Sequence, residues 1–159
     1  MRARVGEPCT ARGLLHAGTL SATWKWAAIV GRMSGRVVHF EIPFDDGDRA
    51  RKFYSDVFGW SIQDIPEMHY SIVQTGPTKD DGFPTEAGYI GGGMIKRESP
   101  TDRPVVTVDV EDIDAALAKI EELGGMTVLG RQDVGDMGWA AYFKDVEGNL
   151  MGLWQSRTA

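Results

Sequence analysis

Two side chains in the segment 37–42, His39 and Glu41, could do chemistry. The segment alternates apolar and mixed residues, which predicts a strand, and residues two apart on a strand share one face at about 6.6 Å along it. A histidine titrates near neutrality and can act as a general base or a metal ligand, and a carboxylate can do the same. His39 could equally line a cleft with its hydrogen bonds satisfied, and Glu41 could lie in solvent or pair with a cation.

A matching pair follows 68 positions later, where Thr107 and Asp109 stand in the alternating segment 105–110. One histidine and two carboxylates, from His39, Glu41 and Asp109, would resemble the facial triad of non-haem iron sites. The spacing of two residues on one strand is long for a single ion, however. The alternative is that Glu41 and Asp109 lie at strand ends in solvent or pair with Arg or Lys.

The elements around each pair also repeat. Pro43 is expected to end the first strand, and the acidic segment 45–48 then begins a helix with an apolar stripe that stops at Gly59. In the second half, Asp112 begins the helix and the stop is at Gly124. Further strands are predicted at 60–65, 69–74, 88–96, 126–134, 138–144 and 149–155. The chain therefore holds two strand–helix–strand–strand–strand modules of an α+β fold, and two such sheets facing each other would enclose a cleft.

Three stretches of sequence resemble a known superfamily: His39–Pro43, Phe53–Trp60, and Tyr142–Asn149 with the following Leu153–Gln155. On these, residues 36–155 resemble the vicinal oxygen chelate proteins, and within them the glyoxalase-like branch of unassigned substrate. The resemblance implies two βαβββ modules, about 36–97 and 104–157, forming a half-barrel with a central cleft. It implies either a metal-dependent lyase, isomerase or dioxygenase of the glyoxalase type, or a metal-free drug-binding protein like the bleomycin-binding relatives.

The resemblance also implies four positions for ligands of a divalent metal. His39 matches the first, whereas the others fall on Thr107, on Gly152 and near Gly92. Glycine has no side chain with which to bind an ion, so the family metal site is largely absent and the cofactor stays open.

Several residues are expected to line the cleft instead. Gly91, Gly92 and Gly93 lie in a strand pattern with no Gly-Lys-Ser/Thr after them, so they are not a phosphate loop. Strand glycines mark a close approach of ligand or backbone, and with Gly152 they predict a roomy cleft floor. Tyr142 and Trp154 are expected to face the cleft, where rings stack on planar ligands, although Trp154 could equally fill the core. The predicted cleft for a small organic molecule comprises Gly92, Thr107, Asp109, Tyr142, Gly152 and Trp154, with His39 and Glu41 as catalytic candidates.

Composition limits the partners. Seventeen basic and 23 acidic residues give a net charge of -6, which argues against a nucleic-acid surface. The longest apolar run, Trp26–Val30, is too short to cross a membrane. Cys9 is the single cysteine, so there is no internal disulfide, and we expect a cytoplasmic protein. The family resemblance implies a homodimer, because members pair their modules within one chain or across two chains. Residues 1–35 carry five basic residues and one acid. They are interpreted as an extension that reflects an upstream start, with Met33 as the natural one, or a transit peptide.

Overall fold

The computed structural model describes residues 35–79 and 84–157, so the expectations for residues 1–34 lie outside it. In chain order the elements are β1 (Val37–Phe44), α1 (Gly47–Phe58), β2 (Ser61–Ile65), β3 (Tyr70–Gln74), β4 (Gly91–Lys96), β5 (Val105–Asp109), α2 (Ile113–Glu122), β6 (Met126–Asp133), β7 (Gly138–Lys144) and β8 (Leu150–Ser156). This order confirms the α+β class and the repeated βαβββ module. No helix in the described part of the chain is long and apolar enough to span a membrane.

All eight strands form one sheet, in the order β2-β3-β4-β1-β5-β8-β7-β6. Within each module the first and last strands are parallel neighbours, β1 with β4 and β5 with β8. The modules meet where β1 pairs antiparallel with β5. The expectation of two sheets facing each other was therefore wrong. Each module alone would leave its first strand with an unpaired edge, and joining those edges satisfies the backbone groups of both.

The sheet is strongly curved. Tyr142 on β7 contacts Glu41 on β1 although β8 and β5 lie between these strands. On a flat sheet β7 and β1 would be about 14 Å apart, too far for these two side chains to meet. The curvature makes one face concave, and the helices lie on the other, convex face, where Phe40 of β1 contacts Trp60 after α1.

The two helices begin alike but pack differently. The carboxylates of Asp46 and Asp112 cap α1 and α2 by accepting from the backbone N–H three residues on, and Gly59 ends α1 in the left-handed region. On α2, the residues Ile113, Ala116 and Leu117 are buried in the core of the second module. On α1, no residue is buried, so its apolar stripe is only partly covered.

Most strand boundaries lie within one residue of the sequence expectation, and three differences have a structural reason or are larger. β1 continues through Pro43, because β1 pairs with β5 only as far as Glu41 and a proline beyond that point removes no bond on that side. β4 begins at Gly91, three residues later than expected. The exposed His69 is not in a strand, since it follows a 3-10 turn, Pro66–Met68, with a left-handed backbone.

Candidate functional site

His39 and Glu41 both lie on the concave face at the centre of the sheet. His39 is in register with Gly91 on β4 and Thr107 on β5, and Glu41 is two residues further along β1. Glu41 is buried, and His39 is partly buried. The two-residue period of the strand therefore brings His39 and Glu41 to one surface.

His39 is held by a tyrosine from the neighbouring hairpin. The Nε2 atom of His39 lies 2.7 Å from the hydroxyl of Tyr70 on β3, and β4 runs between the two strands. Tyr70 is not among the residues that the sequence motifs single out. Its position in the alternation of β3 would place it on the concave face, but only the curvature of the sheet brings its hydroxyl to His39.

Glu41 is held by a tyrosine from the other module. The hydroxyl of Tyr142 on β7 donates to Oε2 of Glu41 at 2.8 Å. Tyr142 therefore faces the concave side, as the sequence predicts. The contact spans both modules, so the site exists only when the two halves of the sheet are joined.

Burial controls the charges of this group. It lowers the pKa of His39 from 6.5 to about 4, so the ring is neutral at pH 7. Burial raises the pKa of Glu41, and the hydrogen bond from Tyr142 partly opposes that rise. The pKa values of Tyr70 and Tyr142 are raised by burial and then by the nearby Glu41 charge, so both phenols keep their protons. The protonated phenol of Tyr70 and Nε2 of the neutral His39 ring share one hydrogen bond, whose direction follows the tautomer of the ring.

Glycines in the strands make room for these side chains. A Cβ atom at Gly93 would overlap the phenol of Tyr70, and one at Gly152 would overlap Oγ1 of the buried Thr107. Gly93 therefore lets Tyr70 cross β4 to reach His39. The expectation for Gly92 was wrong, because a Cβ there would overlap the ring of Phe40 on the convex side. Successive residues alternate faces, so Gly91 and Gly93 are the glycines on the concave side.

The remaining predicted cleft residues lie further along the same face. Asp109 on β5 is in register with Trp154 on β8, two pairs beyond Thr107 and Gly152 and therefore on the same face. The indole Nε1 of Trp154 donates to Oγ of Ser156 at 3.2 Å, and its ring is only half-buried. Trp154 is not a member of the buried apolar core of the second module. It therefore lines the concave face.

The donor set does not fit the metal of the family resemblance. Of the implied positions only His39 has a metal-binding side chain, and its Nε2 atom is engaged with Tyr70. The described residues contain no group of three or more His, Cys, Asp or Glu side chains close enough to hold an ion. His39, Glu41 and Asp109 therefore do not form one. What the concave face offers instead is two phenol donors, one imidazole and one carboxylate with a raised pKa.

Comparison with known proteins gives the class. Residues 36–76 match the family model of the bleomycin resistance protein-like N-terminal domain. The Streptomyces coelicolor methylmalonyl-CoA epimerase, in complex with 2-nitronate-propionyl-CoA, has a similar fold, with a TM-score of 0.55 and 18% identity over 78% of this chain and 99% of that one. The fold is thus that of the vicinal oxygen chelate superfamily.

Relatives in sequence narrow the class. A glyoxylase-like domain-containing protein of Didymella fabae is 32% identical over 128 residues, which cover 74% of this chain and 91% of that protein. The chain therefore belongs to the glyoxalase-like proteins. The putative glyoxylase CFP32 of Mycobacterium bovis is 29% identical over 111 residues, 70% of this chain. The chain spans only 42% of that relative's length.

Proposed function

We propose that the concave face binds a small organic molecule and that Glu41, Tyr142, His39 and Tyr70 contact it. The observation that carries the proposal is the contact of Glu41 with Tyr142 across two strands. A carboxylate and an imidazole with burial-shifted pKa values, held by two phenols at the centre of one concave surface, are typical of a functional site.

The hydrogen bonds define what such a ligand must supply. The carboxylate of Glu41 accepts from the phenol of Tyr142, and the ring of His39 shares a hydrogen bond with the phenol of Tyr70. A ligand that displaces Tyr142 must therefore offer its own donor to Glu41, an amine or a hydroxyl, because a buried acceptor without a partner is costly. The displaced tyrosine ring and Trp154 suit a planar or aromatic body next to that donor. The match to a bleomycin-resistance family model supports a binding role of this kind.

Thermal shift screening tests the proposal. The probes are metal-free bleomycin, aromatic amines and aromatic alcohols, each without added metal. A ligand present at 100 times its Kd should stabilise the fold by about 2.7 kcal/mol. Glu41→Gln and Tyr142→Phe should weaken binding of a hit, whereas Tyr54→Phe, on the helix side of the sheet, should not. Hits whose affinity is unchanged in both concave-face variants would refute the site.

A second candidate is metal-free proton transfer, which the raised pKa of Glu41 favours. A carboxylate whose pKa is nearer neutrality is a better base for a proton on carbon beside a carbonyl. In that reaction the C–H proton goes to Glu41, the electron pair moves to the carbonyl oxygen, and a phenol of Tyr70 or Tyr142 donates a hydrogen bond to the enolate. Return of a proton to the opposite face of that carbon would invert it, and return of a solvent-derived proton to the same face would exchange it.

Hydrogen exchange separates this candidate from binding alone. A methylmalonyl thioester in deuterium oxide is a suitable probe, since it has one acidic C–H and one fold relative is a methylmalonyl-CoA epimerase. Catalysed loss of that proton signal, abolished in Glu41→Gln and kept in Tyr54→Phe, would support catalysis. Exchange that survives in Glu41→Gln would exclude Glu41 as the base.

We also propose a homodimer in the cytoplasm. The single cysteine, Cys9, leaves the chain without an internal disulfide, which suits a reducing compartment.

A further inference from the structure

The two modules match strand for strand, and one position of the concave face is filled in one module and open in the other. His39 and Thr107 pair with each other where the modules meet, and they are in register with Gly91 on β4 and Gly152 on β8, respectively. Gly91 and Gly152 are therefore equivalent positions on the concave face. Gly152 is buried, whereas Gly91 is only partly buried.

The space above Gly152 is filled by two side chains of the chain itself. A Cβ atom at Gly152 would overlap Oγ1 of Thr107, so the threonine side chain lies over this glycine. Tyr142 is in register with Gly152 on the neighbouring strand, and its hydroxyl reaches Glu41 on β1. The phenol of Tyr142 therefore crosses β8 and β5 on the concave side. Together these side chains close the position in the second module.

The space above Gly91 is open. A Cβ atom there would meet only the carbonyl oxygen of Val73, at 3.4 Å. His39 stands where the second module has its threonine, but its ring is turned away from Gly91. The reason is that Nε2 of His39 bonds to the hydroxyl of Tyr70, which occupies the space above Gly93.

The strand beside Gly91 also carries a shorter side chain than its equivalent. Val73 pairs with Gly92, so the next pair along the same ladder sets Gln74 beside Gly91. Gln74 thus has the position that Tyr142 has in the second module. Within the described ranges the side-chain amide of Gln74 has no hydrogen-bond partner. The first module therefore has no ring of its own at this position.

We propose that a hydroxylated aromatic ring of the ligand binds in the Gly91 subsite, which is the open space over Gly91 between His39 and Gln74. The ring would take the position that is equivalent to that of the Tyr142 phenol. The proposal rests on the ligand site proposed above and adds the part of it that lies in the first module. A flat ring suits a space whose floor is a glycine backbone, because no Cβ atom separates the ring from the strand.

A hydroxyl is the substituent that fits His39. Since Nε2 points towards Gly93, Nδ1 lies on the other edge of the imidazole, on the side of Gly91, and no other described residue bonds to it. The ring is neutral at pH 7, so Nδ1 either donates or accepts, and a hydroxyl pairs with it in both cases. A carboxylate is disfavoured, because Glu41 and Asp109 lie on the same face to either side.

Nuclear magnetic resonance titration of the full chain with phenol, without metal and up to about 10 mM, tests the subsite at the affinity expected of so small a ligand. The backbone amide signal of Gly91 should shift, and that of its equivalent Gly152 should stay in place. The ¹⁵N signal of Nδ1 of His39 should move more with phenol than with toluene, which has the ring without the hydroxyl. Equal movement with the two probes would overturn the hydroxyl contact.

Two variants fill the subsite from the protein. Gly91→Val adds a side chain above the floor, and Gln74→Tyr supplies the ring that the second module has. Each should weaken phenol binding at least about tenfold, because the space is then occupied. The control is Gly130→Val on the edge strand β6, where a Cβ atom would meet no atom within 4 Å. It should bind phenol as the wild type does, and circular dichroism checks the fold of each variant.

The outcomes distinguish this subsite from the ligand site as a whole. Phenol binding that both filled variants retain would overturn the Gly91 subsite, and so would the absence of a Gly91 shift at about 10 mM phenol. In either case the ligand site would stand if the hits of the thermal shift screen still lose affinity in Glu41→Gln. Hits that bind Glu41→Gln and the filled variants as tightly as the wild type would overturn both proposals.

Discussion

Replacing Gly93 by alanine should break a hydrogen bond between two other residues. The added Cβ would overlap the phenol of Tyr70, so that ring must leave its place over β4 and its hydroxyl must leave His39. A buried polar atom left without a hydrogen-bond partner costs about 1–3 kcal/mol. Removing a glycine returns about 0.4–1 kcal/mol through the unfolded chain. The net expected loss of unfolding free energy is therefore about 1–2 kcal/mol.

The matched control is Gly91→Ala on the same strand and the same face. A Cβ at Gly91 would meet only the carbonyl oxygen of Val73, at 3.4 Å, and the backbone there is not left-handed. This variant should be neutral or slightly more stable. The difference between the two alanine variants, measured by urea denaturation at pH 7, should be about 2 kcal/mol.

Nuclear magnetic resonance of the histidine rings gives an independent readout. His39 has a pKa of about 4 because it is buried, and displacing Tyr70 opens the ring to water. In Gly93→Ala the pKa of His39 should therefore rise towards 6.5, and in Gly91→Ala it should stay near 4. The reasoning would be refuted by equal stabilities and an unchanged pKa of His39 in the two variants.

Three further outcomes follow from the same contacts. Between pH 6.5 and about 4 the unfolded chain binds a proton at His39 that the folded chain does not. The free energy of unfolding should therefore decrease as the pH is lowered through this range, by up to about 3 kcal/mol. His39→Gln should flatten that slope in urea titrations. Tyr142→Phe removes the bond that lowers the pKa of Glu41, so this pKa should rise further, by infrared titration of the carboxyl band, while Tyr54→Phe leaves it unchanged. Protein grown with Fe, Mn, Ni and Zn should hold less than about one ion per ten chains by mass spectrometry, and a stoichiometric ion lost in His39→Ala would contradict this.

Local patterns predicted the elements of the fold well. The caps at Asp46 and Asp112 and the stop at Gly59 are set by neighbouring residues, and the structure has them at those positions. The prediction that Pro43 ends β1 was wrong. Whether a strand can contain a proline depends on how far β5 runs alongside β1, which is a property of the sheet and not of the segment. The apolar stripes of the two helices look alike in sequence, and only packing distinguishes the covered helix from the uncovered one.

The sequence predicted the face of the β1 residues and of Tyr142, but not Tyr70 or the contacts that hold the candidate site together. The period of a strand places His39 and Glu41 on one face, whatever surrounds them. Their partners Tyr70 and Tyr142 come from strands that are two and three positions away across a curved sheet. The expected position of Gly92 failed for a related reason, because an error of one residue in the strand register moves a side chain to the opposite face.

The seam between β1 and β5 has a consequence for the solubility of the chain. The eight-stranded sheet ends in two edge strands, β2 and β6, whereas two separate modules would expose β1 and β5 as well. The sequence of β5 begins Val105-Val106-Thr107-Val108, four β-branched residues without a charge. Such a run on an open edge is a template for intermolecular strand pairing and aggregation. Joining the modules within one chain therefore hides the most aggregation-prone strand edge at the centre of the sheet.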